Sequence, residues 1–207
     1  MDASEAAEQI AEAGERADEK FKGRAALSIA FMAMLLAITS LGGGNAAEDM
    51  ANNNIHASDT WAFYQAKSIR QTSLRTAADS FEADLRANPS MPADARDFIQ
   101  KKIDEYRATA DRYEDEPDKS DPGNPLKGEG RKQLTARAKD FEEQRGHAQK
   151  QDPNFDFAEA LFQIAIVLAS VSILAGSRMI LRVALATGVV ATLLMLNGYF
   201  LFLPDLL

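Results

Sequence analysis

The chain has 207 residues, 46% apolar and 26% charged, with a formal charge of −8 and no cysteine. That length allows one or two domains. The acidic balance argues against a nucleic-acid partner, which requires a basic face. Without cysteine there is no disulfide frame, thiolate zinc site or thiol nucleophile.

Residues 1–24 form an acidic arm that reads as helical, with Ala3, Ala6, Ile10, Ala13, Ala17 and Phe21 on one face. Its carboxylates disfavour attraction to anionic lipid. Residues 25–41 follow, seventeen positions without a charge. As a helix they cover about 26 Å, the short end of a membrane crossing. The arm before them is long and acidic, unlike the basic start of a secretory signal, so an uncleaved anchor is expected. Gly42, Gly43 and Gly44 come next, but Asn-Ala-Ala follows them in place of the Lys-Ser/Thr of a phosphate loop.

Residues 42–156 are polar and mostly helix-forming. Leu74, Ala78, Phe81 and Leu85 recur in a four-three rhythm, as do Ile99, Ile103, Tyr106, Ala110 and Tyr113, and then Leu134, Ala138 and Phe141. Such narrow seams suit helix-on-helix contact of the coiled-coil kind. A turn is expected at residues 88–92, where Pro89 and Pro92 fall, and a loop at 117–130, which carries three prolines and three glycines. An outgoing helix from about 45 to 88 travels roughly 65 Å, and helices over about 92–116 and 131–151 return roughly 68 Å. The lengths match, so residues 42–156 are predicted to form a hairpin stalk. Asn52, Asn53 and Asn54, or the three glycines, are the points at which its outgoing helix would bend.

Residues 157–175 form the second apolar run, holding one charge, Glu159. A tight turn at 176–179 leads into a third crossing at 180–203, and Pro204 opens a short tail at 204–207. The expected fold class is therefore all-α, with three transmembrane helices and a long extramembrane helical hairpin. Arg16, Lys20, Lys22 and Arg24 precede the first crossing, and Arg178 and Arg182 lie at the turn between the other two. Three crossings put both basic groups on one side, which the positive-inside rule makes cytoplasmic. The stalk and the tail are then extracytoplasmic, in the periplasm of a bacterium with its inner membrane.

Within the stalk, residues 57–71 read as a signature. Ser58 or Asp59 is suited to cap a helix opening with Trp61, Phe63 and Tyr64. The plainer expectation packs Trp61 and Tyr64 on the returning arm and leaves Lys67 and Arg70 in water. The sharper one is a contact between subunits, or a polar pocket involving Asp59, Tyr64, Gln65 and Lys67. In this segment, Ala57-Ser58-Asp59-Thr60-Trp61-Ala62-Phe63-Tyr64-Gln65-Ala66-Lys67, and in Phe162-Gln163-Ile164-Ala165-Ile166, the sequence resembles domain-of-unknown-function family 4337, a bacterial membrane-protein family. The resemblance implies three spans with a coiled helical insert, and no established activity, substrate or catalytic residue.

Other chemistry is sparse. His56 and His147 have no second ligand at metal-binding spacing, and no cofactor motif is present. The acidic clusters Glu114-Asp115-Glu116 and Glu142-Glu143 read as solvated charge. Inside the apolar runs the polar residues are mild, and Gln163 and Asn197 are expected to make polar contacts across helices. Small residues recur at four-residue spacing: Ala26/Ala30, Ala33/Ala37, Ala165/Ala169, Ser172/Gly176 and Ala184/Gly188. The expected function is non-enzymatic, a scaffold that self-assembles through its stalk and small-residue faces. Its partners would be the lipid bilayer, further copies of the chain and a membrane protein. The alternative is a subunit of an oligomeric pore or transport complex.

Overall fold

The structure, a computed structural model, describes the backbone of residues 3–203 and the side chains from Glu12 onward. Helix α1 runs over Ala3–Ala87, α2 over Ala93–Glu114, α3 over Arg131–Ala175 and α4 over Arg178–Phe200. The all-α expectation holds: among the described residues there is no strand, only an isolated antiparallel bridge between Pro117 and Gly128. Three helices, α1, α3 and α4, contain stretches long and apolar enough to cross a membrane. The chain divides into two compact units, Met1–Asp49 with Gly146–Leu207, and Met50–Arg145. We call them the apolar and the polar unit.

Several sequence-level boundaries move. Helix α1 passes without interruption through the three glycines, through Asn52–Asn54 and through Ser58 and Asp59, so neither of the last two caps a new helix. Glycine costs up to about 1 kcal/mol against alanine inside a helix, and packing described below gives Gly42 a reason to be there. Helix α3 likewise runs without interruption through Pro153. A proline inside a helix removes one backbone bond and costs about 3 kcal/mol. Directly after it, Asn154 is buried and its Nδ2 donates to the Lys150 carbonyl at 2.9 Å. Helix α4 stops at Phe200, earlier than residue 203, because Leu201 adopts a left-handed conformation with φ 47°. The tail expected at 204–207 lies outside the described residues.

The breaks between helices are each held by specific bonds. At residues 88–92 the Arg96 guanidinium donates to the Pro89 carbonyl at 3.0 Å, and Asn88 Nδ2 donates to the Asp84 carbonyl at 3.0 Å. Between α3 and α4, Gly176 takes φ 59°, which a residue with a Cβ resists. Ser177 then caps α4, its side chain accepting from the Ile180 N–H.

The apolar unit is built with small residues inside. Ala165 and Ala169 of α3 and Ala184 and Ala191 of α4 are fully buried around Phe162, with Met32 of α1 and Met195 of α4 closing the cluster. Large side chains point the other way: Leu174 is 88% exposed, Leu27 73% and Leu193 62%. An apolar exterior of this extent far exceeds what a protein in water tolerates. In lipid, where there is no hydrophobic drive between helices, small interior residues allow close packing instead.

In the polar unit the rest of α1 packs with α2 and the start of α3. Ala57, Ala78, Ile103, Ala110, Leu134 and Ala138 form the buried line. Phe81 stacks on Tyr106 at 6.0 Å, and His56 lies against Phe141 at 5.1 Å.

Candidate functional site

The polar unit carries a charged cluster in its interior, at the level where the loop 115–130 leaves α2 and rejoins α3. The α1 seam explains how it arises. Extended back from Leu74, the four-three rhythm runs through Gln71, Lys67, Tyr64, Thr60 and Ala57. Lys67 and Gln71 therefore occupy positions that face the neighbouring helices, and both are buried, at 4% and 2% exposure.

Lys67 was expected in water, and the structure corrects this. Its Nζ donates to Glu116 Oε2 at 2.9 Å and to the Glu129 backbone carbonyl, with the Glu129 carboxylate 3.9 Å away. The rings of Phe63 and Tyr113 lie 5.7 and 5.2 Å from the ammonium. A buried ammonium is tolerated only when paired and hydrogen-bonded, and this one is both.

Gln71 and Arg131 form the second half. Gln71 Nε2 donates to the Ala110 carbonyl at 2.8 Å and to Glu114 at 3.1 Å, while its Oε1 accepts from Arg131 at 2.5 Å. Arg131 also donates to Glu114 at 3.0 Å and to the Tyr64 hydroxyl at 2.6 Å. Its Nε is buried without a partner. Glu114 and Glu116, expected as solvated charge, are thus the carboxylates that receive the interior cations. Glu142 accepts from the Trp61 indole at 2.9 Å.

The loop is bound on all sides. Glu129 N–H and Gly130 N–H donate to the Glu116 carbonyl, and Arg137 donates to the carbonyls of Leu126 and Gly128. Gly128 has φ +105°, and a Cβ on Gly130 would run into the Glu116 amide and Gln133. Hydrogen bonds from Gln133 and Lys132 hold the Asp115 carboxyl below its ordinary range. Nearer the 88–92 turn, Arg107 does the same to Glu82.

The remaining predicted residues separate. Asp59 and Gln65 are exposed, so the pocket imagined for them with Tyr64 and Lys67 does not close. Phe63 is 39% exposed. Gln163 is exposed and donates to Glu159 on its own helix at 3.2 Å rather than across helices. Asn197 does cross: its Nδ2 donates to Asn154 Oδ1 at 2.8 Å, and its Oδ1 accepts from the Leu203 N–H at 2.8 Å. That clamp holds the chain after the left-handed Leu201.

Beside it the Phe155 ring fills the space left by missing side chains. A Cβ on Gly42 would lie 2.7 Å from Phe155 and 2.7 Å from the Tyr199 hydroxyl, and one on Gly198 would lie 2.8 Å from Phe155. The Tyr199 hydroxyl donates to the Ile38 carbonyl at 2.9 Å. The glycines thus serve helix approach.

Among the described residues no group of three His, Asp or Glu side chains is placed to hold a metal ion. Six hydroxyls of the apolar unit, those of Ser28, Thr39, Ser170, Ser172, Thr187 and Thr192, bond back to carbonyls of their own helices. The geometry joins helices and pins a loop.

Residues 21–201 match the model of a domain of unknown function, DUF4337, and the chain belongs to that family. No curated protein and no solved structure matches the chain.

Proposed function

We propose that this protein is a membrane scaffold that self-associates through one face of α1. The observation that carries the reading is a difference among the small-residue faces. Ala165, Ala169, Ser172, Ala184 and Gly188 are buried within the chain's own bundle, and so are already used. Ala26, Ala30, Ala33 and Ala37 lie exposed along α1. A strip of alanines at alternating spacings of four and three lets a second helix approach closely and gain dispersion contacts that lipid tails make less well.

The basic residues before α1's apolar run and at the start of α4 support an N-terminus in the cytoplasm, with the polar residues between the first two crossings outside a bacterial inner membrane. A partner membrane protein would meet the same strip or the exposed face of Asp59 and Phe63. A pore lined by Ser, Thr, Gln and Asn draws no support from hydroxyls that donate to their own backbone.

The test is the mass of the full-length protein in a mild detergent, measured by light scattering across a hundredfold concentration range. Ala33→Leu with Ala37→Leu adds bulk to a surface that lipid or detergent solvates equally well, so the monomer should fold unchanged while association weakens at least tenfold. A wild-type protein that is monomeric throughout, or an oligomer indifferent to the two leucines, would end the proposal.

A further inference from the structure

We propose that the apolar unit holds an anionic phospholipid in a groove between α1 and the start of α4, the phosphodiester at its basic end and an acyl chain along its apolar end. The basic end is a cavity of about 420 Å³ bordered by Lys20 and Arg24 of α1 and by Arg178 and Arg182 of α4. No carboxylate borders it, and none of these cations has an ion-pair partner among the described residues. Asp18 and Glu19 lie on the same arm without lining the cavity. In a chain of formal charge −8, four converging and uncommitted cations form a local exception.

The position of the groove selects its ligand. Arg24 is the last charge before the apolar run of α1, and Arg182 sits about 6 Å into α4. Arginine and lysine at such ends keep their heads at the level of lipid headgroups. The start of α4 adds a positive helix end, which favours an anion there. A groove of this sort between membrane helices suits a phosphate headgroup.

A free phosphate would use only this half. Beside it, however, lies a second, mostly apolar hollow of about 360 Å³, bordered by Leu27, Ser28, Phe31 and Met32 of α1. Leu185 borders both hollows. Cations in one hollow and a mostly hydrocarbon lining in the other match an amphiphile.

The inference rests on the three helices crossing a bilayer, and not on self-association. Full-length protein in a zwitterionic detergent is titrated with labelled phosphatidylglycerol, with unlabelled phosphatidylcholine and inorganic phosphate as competitors. Phosphatidylglycerol should bind, phosphatidylcholine should compete at least tenfold less well, and phosphate at equal concentration should not compete.

Arg24→Gln with Arg182→Gln should lower affinity at least tenfold. Lys22→Gln, which removes a neighbouring charge outside the cavity, should change it less than twofold. Leu185→Trp, which fills the apolar hollow without touching charge, should also lower affinity, and serves if the paired variant fails to fold. Equal binding of the two lipids, equal loss with Lys22→Gln, no loss with Leu185→Trp, or phosphate competing as well as lipid would each overturn the groove. A chain that stays monodisperse without surfactant would instead overturn the bilayer reading beneath it.

Discussion

The two units solve the same problem, packing helices side by side, with opposite materials. The apolar unit hides alanine, glycine and two phenylalanines, Phe155 and Phe162, and turns leucine outward. The polar unit hides a lysine and a glutamine on a seam that is otherwise apolar. The difference follows from the surroundings. In lipid, large apolar residues gain nothing by turning inward, so close approach decides which residues are interior. In water a seam of apolar residues would bring the helices together in several registers. A polar residue at a seam position specifies one register at some cost in stability. Lys67, Gln71 and Arg131 fill that role, because their partners Glu114, Glu116 and Glu129 meet them at only one alignment of α1, α2 and the loop.

The largest expected effect breaks this interior pair from its exposed side. Glu116→Ala leaves Lys67 buried with the Glu129 carbonyl and only the more distant Glu129 carboxylate at 3.9 Å, and should destabilise the polar unit by about 3 kcal/mol. Lys67→Met should cost less, about 1–2 kcal/mol, because Glu116 is partly exposed and can turn to water. Trp61 is the only tryptophan and lies in the polar unit, so its fluorescence during denaturant unfolding reads that unit alone. If Lys67→Met costs more than Glu116→Ala, the pair is not what holds the loop.

The next effect belongs to the apolar unit. Gly42→Ala pushes a methyl into the Phe155 ring and should cost about 1–3 kcal/mol, since a packed interior resists added volume. Gly146→Ala meets nothing within 4 Å and should stabilise its helix by under about 1 kcal/mol. Thermal melts followed by helical circular dichroism in detergent compare them. Equal shifts would mean that α1 and Phe155 are not in close contact.

The smallest effect is one of pH. The carboxyls of Asp115 and Glu82 titrate below their ordinary values in the folded state. Their contribution to stability is therefore present above the unfolded value near 4, and is lost as pH falls through the depressed folded values. Asp115→Asn should flatten the acid limb of the Trp61-detected stability profile and leave the neutral region nearly parallel to wild type. An acid limb as steep as wild type would show that the Lys132 and Gln133 contacts do not persist in solution.

Much of the fold was legible from residue order. Three uncharged or nearly uncharged runs, the seams beginning at Leu74, Ile99 and Leu134, and the prolines at 89 and 92 are local signals that need no partner to be read. The interior cluster was only half legible. The rhythm that starts at Leu74 extends back through Gln71 and Lys67, but polar side chains on a seam look like its end, and their partners lie 39 to 62 positions away. The end of the first apolar helix was misplaced because a chain-breaking residue is accommodated by a side chain far along the chain, Gly42 by Phe155.

Sequence alone determined that the chain is helical, that three stretches are apolar enough for a bilayer, and that no thiol chemistry is available, because each depends on composition and period within one segment. Tertiary structure decided which alanines are spent inside the bundle and which remain on α1, that Lys67 is an interior cation, and that Lys20, Arg24, Arg178 and Arg182 converge on one groove. Those outcomes depend on how the helices are rotated and which segments meet, and rotation is settled only by the packing of all the faces at once.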